Sequence, residues 1–270
     1  MTRITNMKAR AGILLLAAGL SAAGDSSPPA GGYPSGFSMA IKLGGELCEA
    51  LPQKFAGQLD SQAITLQPQD WPVVTPVAVT EENRVVRQVS LSAGCIDVVN
   101  HICHAKAIDK VQPGFFDQYV KNLARLSAGD APAPPPPIVE AKYWTEDIIN
   151  DQLSYFNQML GVLTAINLTH HYLGHYAKYS ARMTGVGGKV IAINEFLTSA
   201  EWDVSVKAGV LDALDCALAT EGLQALLDAI DRMPVRPGWT IFIVPQQTDI
   251  KKLNKQLARY EDDYFHGRLK

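Results

Sequence analysis

Thr169-His170-His171-Tyr172-Leu173-Gly174-His175 is the stretch on which the reading of this chain turns. His171 and His175 stand four residues apart. On a continuous helix that spacing puts both imidazoles on one face, one turn apart, and offers a metal ion two ligands from one element. In the pattern H-E-x-x-H the residue after the first histidine is the glutamate that deprotonates metal-bound water. Here that position holds Tyr172, so the pattern keeps a metal clamp and lacks its base.

The flanking sequence sets the clamp on a long helix. Thr145 is a plausible N-cap, and Ile149, Leu153, Phe156, Leu160 and Leu163 form one apolar stripe of a helical pattern running to about Met183. Gly185, Gly187 and Gly188 then make a loop. Further helices are expected from about Ser199 to Ala219, from Thr220 to Met233 and from Asp249 to Tyr260, with a short strand at Trp239 to Val244. Upstream, Met39 to Leu51 reads as a short helix. Val73 to Val79 and Arg84 to Leu91 alternate Val with polar residues around the turn Glu81-Glu82-Asn83, which predicts a hairpin. Ile96 to about Lys110 and Phe115 to Leu126 are helical patterns separated by Pro113-Gly114. The fold class expected is α+β, mainly helical, with a small antiparallel sheet.

A metal clamp needs a third ligand, and an acidic residue on the following helix is the natural source. Glu201 fits by placement, with Asp203 in reserve. The ordinary alternative is equally open: Thr198-x-x-Glu201 is a capping-box pattern, in which the glutamate only closes the helix start. His170 lies roughly 100° around the helix from His171, so it is expected to support the site from behind rather than join it. His101 and His104, three apart on a helix, are alternative ligands or a second metal site. Their simpler reading is one exposed side chain and one packed beside Cys103. No G-x-S-x-G is present, and Gly185-x-Gly187-Gly188 lacks the Lys-Ser/Thr of a phosphate-binding loop.

Composition and the N-terminal stretch bound the function classes. The chain has 270 residues, a net charge of −3 and a pI near 6.1, which gives no reason to expect nucleic-acid binding. Arg3, Lys8 and Arg10, the apolar run Ile13 to Ala23 and the small residues Ser21-Ala22-Ala23-Gly24 read as a secretory signal over residues 1–24. Residues 25–38 then form a Ser/Pro/Gly-rich lead-in. A single domain over 39–270 follows, interrupted at about 128–140 by a Pro-rich insertion containing Ala131 to Pro137. The mature protein is expected to be periplasmic or secreted, with no transmembrane span. Cys48, Cys95, Cys103 and Cys216 fit an oxidising compartment. Cys95 and Cys103 would lie about 12 Å apart on one helix, too far to bridge, so a disulfide would join one of them to Cys48 or Cys216. Four buried free thiols remain the alternative.

Several separated segments together resemble one family, the zinc metallopeptidases typified by the CAAX prenyl endopeptidase and the heat-shock membrane protease. Arg84-Val85-Val86-Arg87-Gln88-Val89-Ser90-Leu91-Ser92-Ala93-Gly94-Cys95-Ile96-Asp97 resembles that family's active-site edge strand and the helix it enters. His171-Tyr172-Leu173-Gly174-His175 with Lys178-Tyr179-Ser180-Ala181-Arg182 is similar to its H-E-I-G-H and R-H-S-x-R motifs. Glu201-Trp202-Asp203 with Gly209 resembles the helix that supplies the third zinc ligand, and Gln246 to Ala258 its T-H-P segment.

The resemblance implies a zincin-like domain with a long H-x-x-G-H helix, and zinc held by His171, His175 and Glu201. It also implies that the strand Val85, Val86, Arg87, Gln88, Val89 and Ser90 pairs with an extended peptide or unfolded protein segment. The departures bear on activity. Tyr172 stands at the general-base position, Gln246 or Gln247 where a histidine would stabilise the intermediate, and Ser205 where an aspartate follows the third ligand. A phenol with an ordinary pKa near 10 is a poor base at neutral pH. The functional expectation is an exported, degenerate or weakly active metallopeptidase-like protein that binds zinc and extended peptides. The alternatives are a periplasmic histidine-rich metal-binding protein and an active endopeptidase with an unusual base.

Overall fold

In the computed structural model the chain is described at residues 33, 36–51, 59, 63–126 and 134–269. The expected export signal, most of the lead-in and the first part of the Pro-rich insertion lie outside these residues.

The organising element is a 27-residue helix, Glu146–Tyr172. Every residue from Met159 to His171 on it is buried, so neighbours surround it on all sides. In chain order the helices are α1 Gly36–Ala50, α2 Ala93–Asp109, α3 Phe115–Leu126, α4 Glu146–Tyr172, α5 His175–Tyr179, α6 Ser199–Asp215, α7 Glu221–Arg232 and α8 Ile250–Phe265. The strands are β1 Ile64–Gln67, β2 Val74–Glu81 and β3 Arg84–Ser92. Helices α1, α2, α6 and α7 and the sheet pack around α4. Phe156, Met159, Leu160 and Leu163 are at most 1% exposed; each such side chain stabilises the fold by about 1.5–3 kcal/mol relative to exposure.

Two glycines set how closely the flanking helices approach α4. A Cβ on Gly209 of α6 would stand 2.6 Å from the backbone N and Cα of Ile166, and one on Gly222 of α7 would stand 2.5 Å from the backbone N of Met159. Any side chain there would push the helices apart.

The fold is α+β and mostly helical, as the periodicity implies. The sheet differs from the expected antiparallel one. It has three strands in the order β1-β3-β2, with β2 antiparallel and β1 parallel to β3. The four residues of β1 are too short to carry a period-2 signal, and their pairing needs a long-range partner. β3 is therefore the central strand, not an edge: β1 covers Val89 to Ser92 on one side and β2 runs along the other. The outer edge of β2 is blunted as well, because Pro76 offers no donor and the Ala78 amide donates to the Tyr176 hydroxyl at 3.0 Å.

Two further expectations are corrected. The helix expected to run to Met183 stops at Tyr172, because Gly174 adopts φ +81° and starts the separate short helix α5. The expected strand Trp239 to Val244 is instead a 3₁₀ segment, Gly238–Phe242, with Trp239 and Phe242 turned into the core. Aromatic and β-branched composition alone does not specify a strand when no partner strand is adjacent. Ile138 to Glu140, after the prolines, run without helix or strand. Among the described residues no helix is long and apolar enough to cross a membrane.

Candidate functional site around the histidine cluster

The break at Gly174 rearranges the cluster. His171 ends α4 and His175 begins α5, so the two are not one turn apart on a continuous helix. His171 faces the sheet, where its Nε2–H donates to the Gln88 carbonyl at 2.8 Å. That bond fixes the tautomer and leaves Nδ1 as a buried atom with no hydrogen-bond partner. Burial holds the His171 imidazole down, to a pKa of about 4.

His175 turns the other way, toward His170. Their Nδ1 atoms are 3.3 Å apart, and Ser205 Oγ on α6 lies 3.3 Å from His170 Nδ1 and 3.1 Å from His175 Nδ1. The Ser205 hydroxyl donates its own proton to the Glu201 carbonyl at 2.9 Å, leaving oxygen lone pairs for the two rings. All three residues are buried. Desolvation, and then the neighbouring His175, push His170 down to about 3. Desolvation also lowers His175, partly offset by the Glu201 charge.

Glu201 is occupied by helix capping and an ion pair. Its carboxylate accepts from the Thr198 amide at 2.9 Å while its own amide donates to Thr198 Oγ1 at 3.2 Å, completing a capping box. The same carboxylate pairs with Lys178 Nζ at 2.8 Å and accepts from the Tyr179 hydroxyl. Lys178 first, with the Thr198 and Tyr179 hydrogen bonds, holds the carboxyl at about 2. Asp203, one helical step away, is exposed.

Zinc can therefore be tested against the residues the sequence suggests. His171 meets one requirement, since a ligating histidine usually donates its second nitrogen to a carbonyl. His175 directs Nδ1 toward His170 and Ser205, while Glu201 serves the capping box and Lys178. Among the described residues no group of three or more His, Cys, Asp and Glu side chains is placed to hold a metal ion. The set His171, His175 and Glu201 does not fit zinc in this arrangement.

Tyr172 is also committed elsewhere. Its hydroxyl donates to Asp212 Oδ2 at 2.5 Å. Burial and the Asp212 charge push the phenol far above its ordinary value, so it cannot serve as a base near neutral pH. Asp212 is itself buried, and desolvation raises its carboxyl to about 6 although the tyrosine hydrogen bond opposes the rise. Tyr172→Phe should leave this carboxylate without that donor. The expected result is a loss of about 1–3 kcal/mol in urea unfolding at pH 8, shrinking as the pH falls and Asp212 takes up a proton. An unchanged midpoint at pH 8 would refute the pairing.

The second histidine cluster is held by tyrosine and backbone partners. His104 Nε2–H donates to the Tyr143 carbonyl at 2.7 Å and its Nδ1 accepts from the Tyr33 hydroxyl at 2.8 Å. His101 Nδ1–H donates to the Tyr119 oxygen at 2.8 Å, while that phenol donates to the Pro136 carbonyl. Burial lowers both imidazoles, His101 to about 4. Neither Nδ1 is free for a metal, and neither ring is exposed: His101 is half-buried against Tyr119 and His104 is buried against Trp144. All four cysteines are free thiols. Cys95 and Cys103 are buried in the core, with Cys103 against the Met159 sulfur at 3.7 Å, while Cys48 and Cys216 are half-buried, so the thiols are free but only two of the four are buried.

Gln246 and Gln247 are exposed in the turn before α8. Sequence reasoning missed Gln88 and Asp212 as partners of the cluster. It placed Ser205 only at a position of departure, four residues after Glu201 on the same helix face, and that spacing was the one available signal. No known protein family model, curated protein or solved structure matches this chain.

Proposed function

We propose that this chain is a hydrolytically silent, metallopeptidase-like domain, exported, whose role is to bind a partner rather than cleave one. The observation that carries the reading is the hydrogen bond from Tyr172 to Asp212. The side chain at the general-base position donates its hydrogen bond to a structural carboxylate and stays a neutral phenol, which is no base at neutral pH. The commitment of Glu201 to Thr198 and Lys178 supports the same reading. General-base catalysis contributes on the order of 10²–10⁴-fold, so a site without it turns over negligibly.

The partner is an extended peptide or unfolded protein segment meeting the hairpin of β2 and β3. Support comes from Val79 and Val85, which are 41% and 52% exposed near its tip. Peptide pairing along the outer side of β2 is disfavoured by Pro76 and Tyr176.

The test is hydrolysis of unfolded casein by the purified mature chain, with and without a chelator. Cleavage is expected to stay at background. Robust, chelator-sensitive cleavage would overturn the reading.

A further inference from the structure

We propose that His170, His175 and Ser205 form a binding site for a divalent transition-metal ion, with Nδ1, Nδ1 and Oγ as the ligand atoms. The inference stands apart from the question of hydrolysis, since it keeps His175 but replaces His171 and Glu201 of the set implied by the peptidase resemblance with His170 and Ser205. His170 was expected only to support a neighbouring site, and Ser205 stands where that resemblance has an aspartate.

Distances carry the argument. The three atoms form a triangle with edges of 3.3, 3.3 and 3.1 Å. Ligands around a tetrahedral zinc ion at 2.0–2.1 Å are separated by about 3.3 Å. The ring centroids of His170 and His175 lie 5.5 Å apart, farther than their nitrogens, so the imidazoles turn their Nδ1 edges toward each other. The elements hold the triangle in place: α4 contributes His170, the left-handed Gly174 breaks the helix so that α5 opens on His175, and α6 contributes Ser205. The close approach of α6 to α4 is permitted by Gly209.

Proton bookkeeping leaves room for a cation at the centre. The serine proton already goes to the Glu201 carbonyl. A bound ion selects the tautomer in which both imidazoles carry their proton at Nε2; their Nδ1 lone pairs and that of Ser205 Oγ then serve as its three ligands. Neutral imidazoles are the form that ligates, so binding weakens as the pH falls. The Glu201 carboxylate, whose charge acts on both rings, offsets part of the ion's charge. Two imidazoles and an oxygen suit zinc, cobalt, nickel or copper rather than calcium or magnesium. Water fills the remaining position.

The test uses the folded, metal-free mature chain titrated with Zn²⁺ by calorimetry and with Co²⁺ by visible absorption. Wild type is expected to bind about one equivalent of either ion. His170→Ala and His175→Ala should each weaken binding at least about tenfold, while His171→Ala leaves it unchanged. Ser205→Cys replaces a hydroxyl with a thiolate in nearly the same volume. It should tighten Zn²⁺ binding at least about tenfold and add a sulfur-to-cobalt charge-transfer band, a gain that misfolding cannot produce.

Absence of saturable binding in both wild type and Ser205→Cys would overturn the proposal and leave the triangle as a hydrogen-bonded cluster sharing a proton. Binding lost in His171→Ala but retained in His170→Ala would overturn it in favour of His171 and Glu201. Neither outcome depends on casein cleavage, so this proposal and the silent-domain reading fail separately.

Discussion

Lowering the pH from 7 to 5 is expected to destabilise the fold by about 4 kcal/mol, a large share of a typical domain's stability. His170 titrates near 3 in the folded chain and His101 and His171 near 4, against an ordinary 6.5 in the unfolded chain. Below pH 6.5 the unfolded chain binds protons that the folded chain refuses. Stability supplied by these neutral rings is thus present above the unfolded pKa and lost as pH falls toward the folded one. Each contributes a loss of about 2 kcal/mol by pH 5.

Asp212 works in the opposite direction. Its folded carboxyl titrates near 6, above the unfolded value, so it takes up a proton first and returns about 1 kcal/mol over the same window. Urea unfolding followed by circular dichroism at pH 7, 6 and 5 reads the effect. His171→Gln, which keeps a donor for the Gln88 carbonyl but cannot ionise, should flatten the slope. A midpoint that does not move between pH 7 and 5 would show that the histidines are not held neutral.

The second large effect is expected at Gly209. Gly209→Val should destabilise the chain by more than about 3 kcal/mol, because even its Cβ would overlap the backbone of Ile166 at 2.6 Å and a helix backbone cannot yield as a side chain can. The same substitution should open the contact between α6 and α4, and thus separate Ser205 from His170 and His175. Gly45 on α1 is the control: no atom lies within 4 Å of a Cβ built there. Gly45→Ala should stabilise by about 0.5–1 kcal/mol through helix propensity. Thermal melts of the two variants beside the wild type decide the matter. Equal melting temperatures for Gly209→Val and wild type would mean that α6 does not approach α4 this closely.

The local architecture was legible because its causes are local. The apolar stripe through Phe156, Leu160 and Leu163 marks α4, the alternation around Glu82-Asn83 marks the hairpin, and Pro113-Gly114 marks the break before α3. Thr198-x-x-Glu201 announced a capping box, and the structure forms one. Each signal lies within a few residues of the atoms that respond to it.

The site was decided elsewhere. The four-residue spacing of His171 and His175 implied a shared face only while the helix continued. A positive φ at Gly174 ends it, so His175 meets His170, five residues away, instead. The parallel pairing of β1 made β3 a central strand, and no pattern within β3 could signal that. Ser205 reaches the two rings across 30 and 35 residues of sequence, and Asp212 reaches Tyr172 across 40. The sequence by itself determined most of the helical segments, though not the end of α4 or the 3₁₀ turn at Gly238–Phe242, and it determined where the strands of the hairpin lie and which residue types gather near the end of α4. Which imidazoles converge, and on what, was decided only in the tertiary structure, because one backbone torsion and the close approach of two helices at a glycine select among side-chain partners that are equivalent in the sequence.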